Sequence, residues 1–378
     1  MSKRTLFALS LLLFYGSMYV SASPGISFSL NSIKTNSDII AGLPLPAGAD
    51  LALEIPLGSM TSLTLRGAAG YESRMILRDT TTSVPIAEPA TIDGTNRFYW
   101  TNALAEIGLR QYLIRDDDAA AWLFGLVRGR YESNATSFPT TLFTDAQNIE
   151  SVSGTAGIAF DSSRWREINR KTGTYAELSV EYSPQFASFT STPTNYGRAN
   201  LTAEAFIPLS AECNTLRNPS LIAPYLVLYG AGDYAAGSAI PQEVLTSFGG
   251  LVGTEGIGDM VRGAQSWGYE SPAKAYASAE LRVAGPSLFK NLVVYPVGYI
   301  FADAAGYAGL YGSPNGSSLA DNSGVFASTG AGVSLSVLNF LWLGAYAGWR
   351  WPIHDPLAPI YYSSPQGFFW NFTFVAHY

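Results

Sequence analysis

Few residues of this chain could act in catalysis, and their spacing does not favour it. The two histidines are His354 and His377, and His354 is followed directly by Asp355. A histidine beside a carboxylate could serve as a general base. However, neighbouring residues of an extended chain point in opposite directions, and Pro352 and Pro356 mark a turn here. The sequence has no Gly-x-Ser-x-Gly motif and no Gly-rich phosphate loop. We therefore expect a protein that is not an enzyme.

Metal, cofactor and nucleic-acid binding are also disfavoured. A single cysteine, Cys213, excludes an intrachain disulfide, and no Cys/His spacing resembles a metal site. We expect no metal and no cofactor. The formal net charge of −7 argues against nucleic acid as a partner, because a nucleic-acid-binding surface needs an excess of basic residues.

The organisation of the chain follows from alternation along predicted strands. Between Thr174 and Ser183 one face carries small or apolar residues and the other carries polar or acidic ones, and the pattern recurs at 102–112, 200–206 and 276–283. A soluble β-sandwich also alternates, but it would need charge on most outward faces. Only 13% of the residues are charged and 47% are hydrophobic. The pattern predicts an all-β, transmembrane antiparallel β-barrel with lipid outside and charge in the lumen.

The last predicted strand is typical of a barrel that closes at its C-terminal end. One face of this strand carries Trp370, Phe372, Phe374 and Tyr378. A half-buried strand of a soluble sandwich is the alternative, but it seldom ends on an aromatic residue. We expect this face to contact outer-membrane lipid. Tryptophans near the predicted strand ends, among them Trp122 and Trp342, are expected to form an aromatic girdle at the headgroup level.

The first residues predict export. Lys3 and Arg4 precede the apolar run 6–19, and Val20-Ser21-Ala22 fits a signal-peptidase site. We expect residues 1–22 to be a signal peptide and 23–378 to form one outer-membrane barrel in a diderm bacterium. No later run reaches the roughly 18 consecutive apolar residues of a membrane helix.

Strand candidates number fifteen, whereas bacterial barrels of one chain have an even number of strands. We therefore expect sixteen, with the missing strand in the first sixty residues or within 236–260. The candidates are 25–33, 36–44, 49–57, 61–78, 98–113, 119–135, 151–163, 173–187, 197–210, 222–235, 272–284, 291–303, 323–338, 341–352 and 368–378. With the C-terminus on the periplasmic side, most long connections fall outside the cell and most short ones fall in the periplasm.

Several short motifs, in a common order, resemble one family. Val261-Arg262-Gly263 is followed by Glu280 and Arg282, and then by Phe301-Ala302-Asp303. Asp161-Ser162-Ser163-Arg164 leading to Gly173, and Ile240-Pro241 leading to Gly249-Gly250, fit the same scheme. Over about 157–378 the chain resembles the bacterial surface antigen superfamily, the BamA/TamA-like group of outer-membrane assembly and secretion translocators. The chain departs from the family pattern at Ala264, where the family has an aromatic residue, and at Ala305, where it has glycine.

The resemblance implies that the loop around Arg262-Gly263 folds into the lumen, where Arg262 pairs with Asp303, with Glu280 as a second candidate partner. It implies a role in the insertion or translocation of protein or lipid at the outer membrane, with contacts to outer-membrane assembly machinery. Strand-like sequence begins near Gly25, so we expect no attached periplasmic polypeptide-transport domain and instead a separate periplasmic partner or secreted substrate. A passive pore or a structural surface protein is the alternative.

Overall fold

The computed structural model describes residues 26–31, 47–75, 97–133, 148–167, 169–189, 193–210, 222–238, 240–251, 254–264, 269, 271–289, 294–309, 323–337, 341–356, 358 and 366–376. The predicted signal peptide, the strand candidate 36–44, Cys213, His377 and Tyr378 lie outside this range. In the part of the chain that the structure describes, no helix is both long and apolar enough to cross a membrane.

Antiparallel strands account for almost all of the described structure. The strands in chain order are β1 (Ile26–Asn31), β2 (Ala47–Pro56), β3 (Thr61–Met75), β4 (Arg97–Arg115), β5 (Ala120–Ser133), β6 (Asn148–Asp161), β7 (Arg164–Glu167), β8 (Arg170–Ser183), β9 (Asn195–Pro208), β10 (Ala223–Ser238), β11 (Ser247–Phe248), β12 (Thr254–Glu255), β13 (Ala273–Ala284), β14 (Val294–Ala308), β15 (Gly324–Val337), β16 (Leu341–His354) and β17 (Gly367–Ala376). The helices are α1 (Gln242–Thr246), α2 (Ile257–Met260) and a 3-10 turn at Gln185–Ala187.

Within the described ranges, fourteen strands follow one another in the main sheet. The order is β1-β2-β3-β4-β5-β6-β8-β9-β10-β13-β14-β15-β16-β17, with β7 added to β8 and with β11 and β12 paired separately. Every neighbouring pair is antiparallel, as in a sheet built from successive hairpins. This topology confirms the predicted all-β fold class. Fourteen of the fifteen strand candidates correspond to these strands. The count of sixteen stays a prediction.

The suggested position of a hidden strand within 236–260 is wrong for its described part. Residues 240–264 instead contain α1, β11, β12 and α2, and we call them the inward segment. Gly249 and Gly256 help the segment to pack closely against its surroundings, and Gly256 lies against the backbone of Thr246. Segments this compact cannot span a bilayer, which requires a strand of about 9–11 residues.

The two faces of the sheet differ as the alternation predicts. On β8, Leu178 is 53% exposed on the outside, whereas its neighbour Glu177 is 2% exposed and faces inward. The outer face is therefore apolar and free for lipid, and the inner face carries polar and charged groups.

The expected outer aromatic girdle fails at both named tryptophans. Trp342 on β16 faces inward, where its ring meets Trp165 of β7. Trp122 is 7% exposed and packs inside against Tyr112, so it does not belong to an outer aromatic girdle. Its ring fills space in the lumen beside Arg110.

The loss of stability caused by a charged residue on the outer face should depend on how deep that residue lies in the membrane. Leu178 lies near the middle of β8, and Leu209 lies just beyond the end of β9. Both leucines are 53% exposed. We predict that Leu178→Arg lowers the free energy of unfolding in lipid by about 2–4 kcal/mol and that the control Leu209→Arg lowers it by about 1 kcal/mol or less. Denaturant unfolding followed by tryptophan fluorescence measures both. Equal effects would show that the outer face does not meet the bilayer core.

Candidate functional site

Arg262 forms the centre of the site predicted from the sequence. Its Nε and Nη2 donate to the two carboxylate oxygens of Asp303 over 2.8 and 2.7 Å, and its backbone N–H donates to Asp303 over 3.1 Å. Its Nη1 lies 2.7 Å from Glu280, and its Nη2 donates to Ser278 Oγ over 3.2 Å. We call these four residues the Arg262 cluster. The planar guanidinium suits this forked contact, which an ammonium group could not reproduce.

Burial makes the ion pairs of the cluster strong and also necessary. The side chain of Asp303 is 0% exposed, and those of Glu280 and Arg262 are 11% and 13% exposed. Burial disfavours the charged form of Arg262, but the hydrogen bonds to Asp303 and the attraction of Glu280 outweigh it, so the pKa of Arg262 lies above its usual range. Glu280 also pairs with Arg282. Two cations therefore meet two carboxylates, and the local charge is balanced.

Gly263 and the aromatic residues around it fix the backbone beside Arg262. Gly263 has φ = +81°, and a Cβ there would collide with the ring of Phe369 on β17. Arg350 on β16 donates to the Gly263 carbonyl over 2.7 Å. The Arg262 guanidinium lies 3.7 Å from the ring centre of Phe301. Ala264, which replaces the aromatic residue of the resembled family, packs against the apolar cluster that contains Phe248 and Phe326.

A second set of contacts, which the sequence reasoning missed, holds the first half of the inward segment. Here side chains of the wall bind backbone groups of the segment. Arg198 donates to the Ser247 carbonyl, Asp233 accepts from Gly249 N–H over 2.7 Å, and Glu177 accepts from Leu251 N–H over 2.6 Å. Lys274 donates to the Val244 carbonyl over 3.0 Å. The sequence carried one signal for these contacts, the pair Gly249-Gly250 opposite strands whose charged residues face inward. Gly250 has φ = +94°, and a Cβ there would meet the Glu177 carboxylate.

The wall charges also pair with one another. Arg128 faces inward, contacts Glu106 and Glu181, and donates to the Gly250 carbonyl over 3.2 Å. Arg198 pairs with Asp233, as does Lys274 over 3.5 Å. Both halves of the inward segment are thus held by paired groups inside the barrel.

The other predicted residues lie apart from this site. Trp370 and Phe372 are 72% and 50% exposed on the outer face of β17. The side chain of Phe374 and all of Tyr378 lie outside the described residues. Asp355 accepts hydrogen bonds from Tyr307 and Tyr269 over 2.8 and 3.0 Å, while His354 is exposed at the end of β16. Among the described residues, no group of three or more His, Cys, Asp and Glu side chains is arranged to hold a metal ion.

Solved structures resemble the fold at low sequence identity. CdiB from Acinetobacter baumannii is 13% identical with a TM-score of 0.51, and the match covers 88% of this chain but 51% of CdiB. The chain therefore spans about half the length of CdiB. BamA from Haemophilus ducreyi lacking POTRA domains 1–3 is 15% identical over 97% of this chain and 77% of that chain, with a TM-score of 0.49. No family model and no curated protein sequence matches.

The likeness to CdiB establishes the architecture and nothing finer. The chain has the antiparallel β-barrel fold seen in CdiB, so the prediction of a BamA/TamA-like barrel is confirmed at the level of the fold.

The Arg262–Asp303 pair should contribute strongly to stability. We predict that Arg262→Ala lowers the free energy of unfolding by about 3–5 kcal/mol, because it leaves the Asp303 carboxylate buried without its main partner. The double variant with Asp303→Ala should recover part of that loss. Arg262→Lys is the matched variant that keeps the charge and loses the forked contact. Its free energy of unfolding should therefore lie between those of the unaltered protein and Arg262→Ala. Denaturant unfolding in lipid of the unaltered protein, Arg262→Ala, Asp303→Ala and the double variant measures the coupling energy. A coupling near zero would show that the pair contributes nothing.

The contact at Gly263 gives a separate expectation. An alanine at position 263 would be strained by the positive φ, and its Cβ would collide with Phe369. Gly263→Ala should therefore destabilise the barrel by about 1–3 kcal/mol. Gly67 on β3 is a control, because a Cβ there meets nothing within 4 Å. Gly67→Ala should change stability by less than about 1 kcal/mol. Equal unfolding midpoints for the two variants would contradict the strained contact.

Proposed function

We propose that this chain is an outer-membrane barrel that inserts or translocates protein or lipid at the outer membrane of a diderm bacterium, without enzymatic chemistry. One observation carries the proposal: the lumen is filled by the chain's own inward segment, held by the Arg262 cluster and by wall contacts such as Asp233 to Gly249. The order of the sequence motifs, which resembles the BamA/TamA-like translocators, supports the same role.

A filled lumen distinguishes this proposal from a passive pore. A diffusion pore needs a continuous water-filled path, whereas Phe248, Ile257 and Val261 of the inward segment are at most 1% exposed. They pack with Tyr276 and Phe326 of the wall into one apolar cluster. We infer that this packing closes the lumen to small solutes. A barrel of this kind must rearrange to pass a substrate.

The edges of the sheet offer one route for such a rearrangement. In the described residues β1 pairs only with β2, and β17 pairs only with β16. β1 contributes six residues and β17 contributes ten, so the two edges are unequal in length. Unpaired backbone groups cannot remain exposed to lipid at low cost. We infer that a weak seam between the first and last strands opens toward the bilayer and accepts a substrate strand there.

The proposed partners follow from the same reasoning. Outer-membrane lipid surrounds the apolar outer face, and the outer-membrane assembly machinery inserts the barrel. Substrate delivery belongs to a separate periplasmic partner, or the secreted substrate reaches the barrel directly.

Reconstitution with two parallel assays tests the proposal. The purified protein is placed in planar bilayers for conductance and in proteoliposomes for insertion of an unfolded outer-membrane barrel supplied with a periplasmic chaperone. We predict low conductance, because the inward segment blocks the lumen, together with insertion above that of empty liposomes. Arg262→Ala should raise the conductance, since it releases one end of the segment. Steady high conductance of the unaltered protein without insertion would favour the passive pore, and neither activity would favour a structural surface protein.

A further inference from the structure

The β7–β8 hairpin, described at residues 164–167 and 169–172, crosses the end of the barrel opposite the inward segment. β7 pairs with Arg170–Thr172, whereas pairing of β8 with β9 stops at Gly173. The hairpin therefore leaves the wall. The ring of Trp165 meets Trp342 edge-on at 6.3 Å, although Trp342 belongs to β16, six strands away from β8 in the sheet. This contact places the hairpin across the opening.

Hydrogen bonds fix the tip of the hairpin against the far wall. Asn169 Nδ2 donates to the carbonyls of Gly285 and Pro296 over 3.3 and 3.2 Å, and Tyr225 donates to the Asn169 carbonyl over 3.1 Å. The space behind the hairpin, lined partly by Trp165 and Trp342, measures about 30 Å³. A space of that size holds little more than one water molecule. The hairpin is thus packed against the wall, and it does not cover a ligand cavity.

The outer edge of the hairpin is open. β7 pairs on one side with β8, and among the described residues its other side has no strand neighbour. An open edge presents unpaired N–H and C=O groups that can accept a further strand. The edge does not face lipid, because the hairpin lies across the lumen opening.

Two of the three charged residues of β7, Arg164 and Arg166, are positive, and both lack carboxylate partners among the described residues. Arg164 donates to the carbonyls of Asp117 and Ser163 over 2.9 and 2.7 Å, and Arg166 donates to Thr172 Oγ1 over 3.0 Å. Within the described ranges neither arginine has a carboxylate oxygen within 4.0 Å. Arg164 is the strand partner of Thr172, so the Arg166 side chain, which reaches Thr172, shares the face of Arg164. Trp165 faces the other way, 57% exposed and beside Lys171.

We propose that β7 is a docking strand for an extended polypeptide segment that carries acidic residues at alternate positions. The β7–β8 pairing contains a bulge between Trp165 and Glu167. A strand added to β7 would bring side chains to the face of Arg164 and Arg166, where carboxylates would complete both guanidinium groups. The exposed ring of Trp165 would cover apolar or small residues on the opposite face. The inference rests on the proposed function, since it identifies the chemistry by which a periplasmic partner or substrate is first bound.

Peptide binding to the barrel in nanodiscs of phosphatidylcholine tests this inference. The probe is a fluorescein-labelled peptide of twelve residues that alternates glutamate and threonine, measured by fluorescence anisotropy. We expect saturable binding that Arg164→Gln/Arg166→Gln weakens by at least about tenfold, because two charge-assisted hydrogen-bonding pairs are lost. Arg115→Gln is the matched control: Arg115 ends β4 on the same side of the barrel and donates to the Ser59 carbonyl, and its loss should leave the affinity unchanged.

Two further probes use the unaltered protein, so the test does not depend on folding of the variant. The same peptide with alternate backbone amides methylated keeps its charge but cannot pair as a strand, and it should not bind. A lysine-threonine peptide should not bind either. Equal binding of the methylated peptide would overturn strand addition. Loss of binding in nanodiscs that contain phosphatidylglycerol would assign the arginines to anionic lipid and would also overturn the proposal.

The outcome is separable from that of the insertion assay. A barrel that binds the acidic peptide but inserts nothing refutes the proposed function and keeps the docking strand. A barrel that inserts substrate but does not bind the peptide refutes the docking strand alone. Heat-modifiable migration on a denaturing gel confirms that the arginine variant is folded before binding is measured.

Discussion

The interaction on which the site depends is the pairing of one buried guanidinium with one buried carboxylate. Arg262 reaches Asp303 with two side-chain hydrogen bonds and one backbone hydrogen bond, and the Asp303 side chain is fully buried. A buried charge without a partner costs several kcal/mol, so neither residue can leave the pair cheaply. The pair joins the end of the inward segment to β14, while Arg350 and Phe369 hold Gly263 against β16 and β17.

The lipid environment extends this constraint to the whole lumen. Charge is too costly on the outer face, so the few charged residues turn inward and pair there. The inward segment has little regular structure, and its N–H and C=O groups need partners inside a largely dehydrated space. Asp233, Glu177 and Arg198 satisfy three of these groups. The same wall charges therefore serve two purposes, because they neutralise each other and they hold the segment that fills the lumen.

Alternation made most of the strands predictable, because one face of each strand is apolar and the other turns polar and charged groups to the lumen. The resemblance to the surface antigen superfamily also implied that Arg262 pairs with Asp303, and the structure brings them into contact. The contacts of the wall with the backbone at 247–251 were not predictable, since a backbone carbonyl or N–H leaves no mark in the sequence. Trp122 was placed wrongly because a tryptophan near a strand end suits both the headgroup level and a crowded lumen. The short pairing of β7 with β8 looked like a turn, because four residues are too few to show alternation.

Hydrogen–deuterium exchange of the protein in lipid, read by mass spectrometry on peptides covering 240–251, tests most directly whether the inward segment fills the lumen. The amides of Gly249 and Leu251 donate to buried carboxylates, so they should exchange slowly, at rates close to those of the strand β8. Complete exchange of this segment within seconds, at the rate of an unstructured peptide, would contradict a lumen closed by the paired charges of the wall.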